Sequence, residues 1–227
     1  MTKLNYKFAL LYAENLRSLS YLKFLKKNNF IPTKIIVISN NEVTKNINRR
    51  HRKKINNLKK ILDYFRKKAL VINLKNKKEK ILENLKDIEE EYIIFAGNYG
   101  QILQKQYFNF NKFFIHVHPG NLPDYKGSTT YYYEYLLKNK ITFTSIFLDK
   151  KLDSGRIIYK KSYSPKKINL EKMDTYYDLI YRSEVLINTL KLLNKKKIYS
   201  DPIKTKNQSF YVIHPILKHI AILKAKL

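Results

Sequence analysis

The chain has 227 residues, of which 44% are hydrophobic, and this content excludes a disordered polyelectrolyte. It contains no cysteine, which excludes a disulfide framework, a thiolate nucleophile and a cysteine-based zinc site and is compatible with the cytoplasm. No stretch approaches the roughly 18 apolar residues of a membrane span. The sequence therefore predicts a cytoplasmic protein of one main domain with no membrane partner.

The formal net charge of +28 comes from 46 lysines and arginines against 18 acidic residues. Residues 45–60 alone carry eight basic residues and no acid. We favour a lysine-rich composition spread over solvated faces, because no aromatic-rich RNA-binding pattern accompanies the charge. Two functional explanations stay open, namely binding to nucleic acid and attraction of a small anionic substrate into a positive cleft.

The first 39 residues predict a βαβ unit. Residues 6–13 (YKFALLYA) and 33–39 (TKIIVIS) are typical of buried strands, and residues 15–28 have leucines at helical spacing. A strand, helix and strand within this length imply a parallel sheet. The turn after the first strand has no glycine, so neither a dinucleotide fingerprint nor a phosphate loop is predicted.

The same spacing arguments predict the elements that follow in the first half of the chain. They are a basic helix that continues to about residue 68, a strand over 69–74, a helix over 77–87, a strand over 92–97 and a short helix over 102–108.

Residues 113–127, FFIHVHPGNLPDYKG, place two histidines in an apolar strand that breaks at a proline and a glycine. Because side chains alternate along a strand, His116 and His118 share one face. A second strand over 142–148 is followed, after a short loop, by Asp153. Open α/β sheets place their chemistry at the carboxyl ends of strands, so we expect His116, His118 and Asp153 to meet in space.

The second half of the chain predicts fewer and longer elements. Ser128 is a suitable N-cap for a helix that runs to about Lys138. A strand over 156–163, a helix over 172–193 and an edge strand over 210–213 complete the prediction.

A histidine pair with a nearby aspartate fits three kinds of site. The carboxylate can orient a histidine for acid–base catalysis, the three groups can ligate a metal, or the pair can be a buried structural feature. A metal would need a further ligand, and the other histidines lie in segments that do not look like strand ends. We therefore predict no metal.

Three segments in order resemble the folate-dependent formyltransferases. They are FAGNYGQIL over 95–103, HPGNLPDYKG over 118–127 and LDKKLDSGRII over 148–158. The resemblance is greatest to small sugar N-formyltransferases. It implies a Rossmann-like α/β fold with a mostly parallel central sheet flanked by helices. A catalytic core would span 1–163, and a C-terminal helix and strand segment would span 164–227.

The resemblance also implies a reaction, the transfer of a formyl group from N10-formyltetrahydrofolate to an amine. The family uses Asn-x-His with a later Asp, and His118 and Asp153 occupy two of these positions while His116 replaces the asparagine. His118 would polarise the formyl oxygen and take part in proton transfer, Asp153 would orient His118 or shuttle the amine proton, and His116 would donate to the oxyanion. Residues implied to hold the folate are Asn98, Gly100, Gln101, Ile102, Leu103, Lys150, Lys151 and Leu152, and those implied to hold the acceptor are Lys126, Gly127 and Tyr131.

The acceptor follows only by elimination. A methionyl-tRNA enzyme of this family carries a further C-terminal domain, and a glycinamide ribonucleotide enzyme has a glycine-containing loop after its first strand. The expected partner is therefore a small amine acceptor. It would be an amino sugar, either free or linked to a nucleotide, and an anionic form would suit the positive charge of the chain. The alternatives are a glycinamide ribonucleotide-type enzyme and a degenerate fold that binds nucleic acid through its basic surface. A homodimer is a further arrangement left open.

Overall fold

In a computed structural model the described residues are 4–39, 49–75, 78–97, 103, 105–195 and 209–226. They belong to two compact units, Met1–Ile115 and His116–Leu227. The predicted division at residue 163 separates a catalytic core from a C-terminal segment rather than two compact units, and it stays a prediction. No helix among the described residues is long and apolar enough to cross a membrane.

The first unit is built from alternating strands and helices that pair in parallel. Strand β1 pairs with β2 and β4, β2 pairs with β3, and β4 pairs with the first half of β5. The elements are β1 (Phe8–Ala13), α1 (Leu16–Lys27), β2 (Lys34–Ser39), α2 (Arg49–Arg66), β3 (Leu70–Lys75), α3 (Lys78–Lys86), β4 (Tyr92–Ala96) and β5 (Phe113–His118).

Strand β1 lies between two parallel neighbours, and all six of its side chains are buried. This position explains its unbroken apolar run, because a strand that is covered on both faces shows no alternation. Helix α1 begins at an Asn15 cap, whose side chain accepts a hydrogen bond from the Ser18 N–H at 3.0 Å. The Asn15 amide also donates to the Gly97 carbonyl at 3.1 Å, which fixes the start of α1 against the end of β4.

The described residues of the second unit contain the last half of β5, five further helices and strands, and a short two-stranded sheet. Strands β7 and β8 pair in antiparallel fashion, and β6 pairs in parallel with β9. The elements are β6 (Lys126–Gly127), α4 (Thr130–Lys138), β7 (Ile141–Phe147), β8 (Ile157–Tyr163), α5 (Asp178–Asn194), β9 (Ser209–Phe210) and α6 (Pro215–Lys224).

The main sheet has seven strands in the order β3-β2-β1-β4-β5-β7-β8, with β5 shared between the units. The predicted α/β class with a mostly parallel sheet flanked by helices is therefore confirmed. The strand order places β5, which carries both histidines, beside β7, which leads to Asp153. This adjacency brings the two predicted strand ends together.

Several predicted boundaries are wrong. The cap of α4 is Thr129, with φ 50° and no side-chain capping bond. Ser128 lies one residue earlier, and its N–H donates to the Phe210 carbonyl beyond the β6–β9 pairing. The short helix near residue 105 is a 3₁₀ segment, Lys105–Asn109. Met173–Tyr177 forms a π-helical turn, so α5 starts only at Asp178.

The C-terminal prediction is also corrected. The edge strand expected over 210–213 ends at Phe210, and the unpredicted helix α6 follows it. The signal for α6 was present, since Pro215 occupies the first helical turn behind a His214 cap. In the basic segment, residues 45–48 lie outside the described residues, as do the side chains of 49–56, so its functional meaning stays open.

Candidate active site

His118 ends β5 in a nearly closed environment, with 2% of its surface exposed. Its Nε2 lies 2.6 Å from the Tyr125 carbonyl oxygen. A carbonyl oxygen only accepts hydrogen bonds, so this ring nitrogen carries a proton. The Thr130 hydroxyl lies 3.3 Å from the same nitrogen and donates its own proton to the Pro119 carbonyl, which leaves its oxygen to accept.

Asp153 lies on the other side of the His118 ring. One carboxylate oxygen is 3.4 Å from Nδ1 of His118, and the other accepts the Gly127 N–H at 2.9 Å. Asp153 has φ 48°, a left-handed conformation that aspartate tolerates better than most residues. Gly127 has φ 103°, and a Cβ there would lie 2.1 Å from the Phe210 carbonyl oxygen, so glycine is required at this contact.

The electrostatics favour a carboxylate at Asp153. Burial by itself raises the pKa of this group, but the charge and hydrogen bond of His118, the Gly127 N–H and the charge of His116 together lower the pKa from 3.8 to about 2. Both ring nitrogens of His118 thus face acceptors, one a carbonyl and one a carboxylate. The two acceptors hold the His118 ring in one orientation between Tyr125 and Asp153.

The predicted meeting of the three side chains is largely what the structure shows. His118 and Asp153 are in contact, and His116, which is half-buried, lies close enough for its charge to lower the pKa of Asp153. His116 is the more exposed of the two imidazoles, because the His118 ring is enclosed by Tyr125, Thr130 and Asp153. Their catalytic roles stay predictions.

The residues expected to hold the folate are described only in part. Asn98, Gly100, Gln101 and Ile102 lie outside the described residues, and Leu103 is half-buried. Lys150, Lys151 and Leu152 form an exposed loop directly before Asp153, with Leu152 at 52% exposure. Within this loop the Lys150 N–H donates to the Asp149 carboxylate, and the Lys151 carbonyl accepts the Ser154 hydroxyl.

The residues expected to hold the acceptor are largely enclosed. Lys126 is buried in β6, beside Gly127. Tyr131 is also buried, and its hydroxyl donates to Asp174 at 2.6 Å. The tyrosines at 132 and 135 are buried as well, so most of this tyrosine-rich helix forms core. The parts of the chain that the structure describes hold no group of acidic or histidine side chains suited to a metal ion.

The sequence analysis missed a buried ion pair behind the histidine strand. Arg182 of α5 donates from Nε to Asp178 at 2.7 Å, and its guanidinium also donates to the Val117 carbonyl. Val117 stands between His116 and His118, so this contact holds the backbone that carries both rings. A signal existed, because an aspartate and an arginine four residues apart lie on one face of a helix and can pair.

We expect Arg182→Met to lower the free energy of unfolding by about 3 kcal/mol, since Asp178 then stays buried without its partner. Urea denaturation of both proteins measures the difference. Arg66→Met is the matched control, because both side chains of its pair with Asp63 are about half exposed or more and exposed pairs contribute about 0–1 kcal/mol. Equal losses in the two variants would contradict the assigned importance of the buried pair.

The chain belongs to the formyl transferase family, whose model matches residues 7–184. The methionyl-tRNA formyltransferase of Caldanaerobacter subterraneus subsp. tengcongensis is 30% identical over 145 residues, which is 61% of this chain and 45% of that protein. The chain therefore spans less than half the length of this curated relative.

Solved structures of the same family share the fold. A phosphoribosylglycinamide formyltransferase from Anaplasma phagocytophilum superposes with a TM-score of 0.63 at 16% identity, covering 92% of this chain and 99% of that one. A sugar N-formyltransferase from a Shewanella species superposes with a TM-score of 0.59 at 16% identity, covering 96% and 87%. At these identities the likeness concerns the fold alone.

Proposed function

We propose that this protein transfers a formyl group from N10-formyltetrahydrofolate to the amino group of a small acceptor. The observation that carries the proposal is the buried His118–Asp153 pair at the carboxyl end of β5, with His116 beside it. A buried pair of fixed geometry is costly to maintain for stability alone, and such pairs are concentrated at functional sites.

The described part of the loop before Asp153 suits a folate. Leu152 offers half-exposed apolar surface for a flat ring, and the exposed Lys150 and Lys151 match the carboxylates of the folate tail. Two internal hydrogen bonds, at Asp149 and Ser154, help to hold the loop. When bound, the folate supplies the formyl group as an activated amide on its N10 atom.

The transfer forms one carbon–nitrogen bond and breaks another. The neutral acceptor nitrogen attacks the formyl carbon, the bond from that carbon to N10 breaks, and one proton moves from the acceptor nitrogen to N10. Negative charge that develops on the formyl oxygen is stabilised by N–H donors. His116 is the candidate donor, because both ring nitrogens of His118 already face the Tyr125 carbonyl and Asp153. Asp153 orients His118 through Nδ1. Because its pKa is lowered to about 2, Asp153 is also present as a carboxylate that can accept the amine proton directly or through water.

The proposed acceptor is an amino sugar, free or nucleotide-linked. A phosphate site at the start of α1, of the kind a ribonucleotide substrate would use, is disfavoured because the Ser18 N–H there is already donated to the Asn15 side chain. A second candidate is an aminoacyl-tRNA, supported by the net charge of +28 and the methionyl-tRNA formyltransferase relative.

Calorimetric titration with 5-formyltetrahydrofolate, a stable formyl isomer, tests the donor side without the acceptor. We expect saturable binding that Leu152→Asp weakens about tenfold or more by placing a charge against the ring. Leu70→Asp is the matched control, since Leu70 is an equally exposed leucine in the first unit. A folded protein that shows no binding, but binds nucleic acid with a steep salt dependence, would replace the enzyme by the basic-module alternative.

The acceptor is tested by incubation with N10-formyltetrahydrofolate and three amines, with mass spectrometry of each product. A nucleotide-linked amino sugar is expected to gain the 28 Da of a formyl group in place of a hydrogen, by the bond changes described above. Glycinamide ribonucleotide and methionyl-tRNA are the comparison substrates. Preferential formylation of either of these would overturn the amino-sugar assignment while leaving the formyl transfer in place.

A further inference from the structure

Residues 209–213, which we call the β9 strap, lie against the loop between β5 and α4. Within the strap, β9 pairs in parallel with β6, so that Phe210 is opposite Gly127. The ladder consists of two residue pairs, and so short a two-stranded ladder is at best marginally stable by itself. The same loop supplies groups that contact His118 and Asp153. The strap is thus placed where it can set the geometry of that pair.

The backbone of Phe210 holds the N–H group that faces Asp153. Its carbonyl accepts the Ser128 N–H at 2.9 Å. A Cβ on Gly127 would lie 2.1 Å from the same carbonyl oxygen, so the strap and the loop touch at a point that only glycine allows. The Gly127 N–H in turn donates to the Asp153 carboxylate at 2.9 Å. A displacement of Phe210 would therefore release the contact that places this N–H against Asp153.

The side chain of Phe210 holds the acceptor that faces His118. Its ring stacks on Tyr125, with 5.5 Å between the ring centres and 15° between the planes, and it packs against Tyr133 at 4.7 Å. The Tyr125 carbonyl oxygen lies 2.6 Å from Nε2 of His118. Stacked aromatic rings attract one another beyond the effect of the area they bury. The stack therefore restrains the residue whose carbonyl orients the His118 ring.

Ile213, at the other end of the strap, restrains a third part of the loop. Ile213 is buried, and its N–H donates to the Thr129 hydroxyl oxygen at 2.8 Å. Thr129 has a φ of 50°, which a β-branched residue adopts only where its surroundings impose it. The next residue, Thr130, places its hydroxyl 3.3 Å from Nε2 of His118. Both ends of the strap therefore act on groups around one imidazole.

We propose that the β9 strap is a positioning element of the active site, and that Phe210 is its principal positioning residue. Phe210 touches two loop residues, one of which orients His118 while the other donates to Asp153. Reacting groups must be held within about 0.5 Å of their productive geometry, so loosening this loop lowers the rate of the chemical step more than the affinity for the donor. The catalytic part of this inference rests on the proposed formyl transfer, whereas the orientation of the two side chains does not.

Steady-state kinetics of three variants at position 210 test the proposal. We expect Phe210→Ala to lower the turnover number about 10–100-fold, while the affinity for 5-formyltetrahydrofolate, measured by calorimetry, stays within about twofold of the wild type. Phe210→Tyr keeps the stacked ring and is expected to retain turnover within about threefold. Phe210→Leu keeps apolar bulk without a flat ring and is expected to lose turnover as well. It takes the place of the alanine variant if thermal unfolding shows that variant to be unfolded.

Phe113→Ala is the matched control. Phe113 is 39% exposed and stacks on Tyr92, with 5.9 Å between the ring centres and 27° between the planes, but it lies at the amino end of β5, whereas His118 lies at the carboxyl end. We expect this variant to keep the turnover number of the wild type. Equal losses in the two alanine variants would assign the Phe210 ring to general packing and overturn the proposal, as would a Phe210→Tyr variant as slow as Phe210→Ala.

A spectroscopic measurement separates this proposal from the proposed function. The chain has five histidines, and long-range ¹H–¹⁵N spectra report the hydrogen bonding of each ring nitrogen. The His118 signals are those that disappear in His118→Ala. We expect Phe210→Ala to shift them and Phe113→Ala to leave them in place. Unshifted His118 signals in Phe210→Ala would overturn the role of the strap whatever the turnover. If the wild type formylates no amine, the proposed function fails, and the His118 signals still decide whether the strap orients the pair.

Discussion

Asp153→Asn is expected to reduce formyl transfer by about 10²–10⁴-fold while leaving the fold intact. Asparagine tolerates the left-handed φ of 48° at this position and still accepts the Gly127 N–H, so the loop geometry is kept. What is lost is the negative charge beside His118 Nδ1, at 3.4 Å. Without that charge the carboxylate no longer orients the His118 ring, and no carboxylate is available to accept a proton from the amine.

The measurement is the turnover number of each variant with the acceptor that product analysis identifies. The control is Asp149→Asn. Asp149 is exposed on the same loop and contacts only the neighbouring Lys150 N–H among the interactions described for it. We expect the control to retain turnover within a few-fold of the wild type. Comparable turnover in Asp153→Asn and the wild type would show that the ion pair is structural.

The same variant has a pH signature in stability. Because the folded-state pKa of Asp153 is lowered to about 2 from 3.8, its ionised form stabilises the folded chain above about pH 4, and this contribution disappears as the pH falls toward 2. The wild type is therefore expected to exceed Asp153→Asn in unfolding free energy by about 2 kcal/mol at neutral pH and by almost nothing near pH 2. Urea denaturation at several pH values measures this difference. A difference that stays constant with pH would contradict the lowered pKa.

The meeting of the two strand ends at this site could be predicted from the sequence, because it follows from two simple rules of sheet geometry. Alternation along β5 puts His116 and His118 on one face, and parallel strands bring their carboxyl ends to one edge. The groups that hold the His118 ring and Asp153 in place could not be predicted in the same way. The Tyr125 carbonyl and the Gly127 N–H are backbone groups, which every residue possesses, so no side-chain pattern marks them.

Local rules failed where contacts distant in sequence decide the structure. Ser128 is a good cap by composition, but its N–H is taken by Phe210, more than 80 residues away, and Thr129 adopts the left-handed cap position instead. The tyrosines of α4 resemble a ligand-stacking surface in sequence, yet Tyr131 is core because Asp174 accepts its hydroxyl. In both cases tertiary hydrogen bonds outweigh the local preference.

The second large effect is expected from changing His116, which stands where the family typically has an asparagine. His116→Ala is expected to lower the turnover number by about 10²–10³-fold with little change in folate affinity, because a donor to the formyl oxygen matters mainly when charge develops there. His116→Asn is expected to stay within about tenfold of the wild type, since the asparagine amide replaces one N–H donor with another.

The control for both variants is His214→Asn, which changes another histidine to asparagine but retains a favourable cap for α6. Steady-state kinetics at saturating acceptor separate the turnover number from the affinity, and thermal unfolding establishes that the variants are folded. If alanine and asparagine at position 116 reduce turnover equally, then His116 acts through a property that the amide lacks, such as its charge near Asp153. If neither reduces turnover, the imidazole of His116 has no part in the reaction, and the oxyanion must be stabilised by other N–H groups.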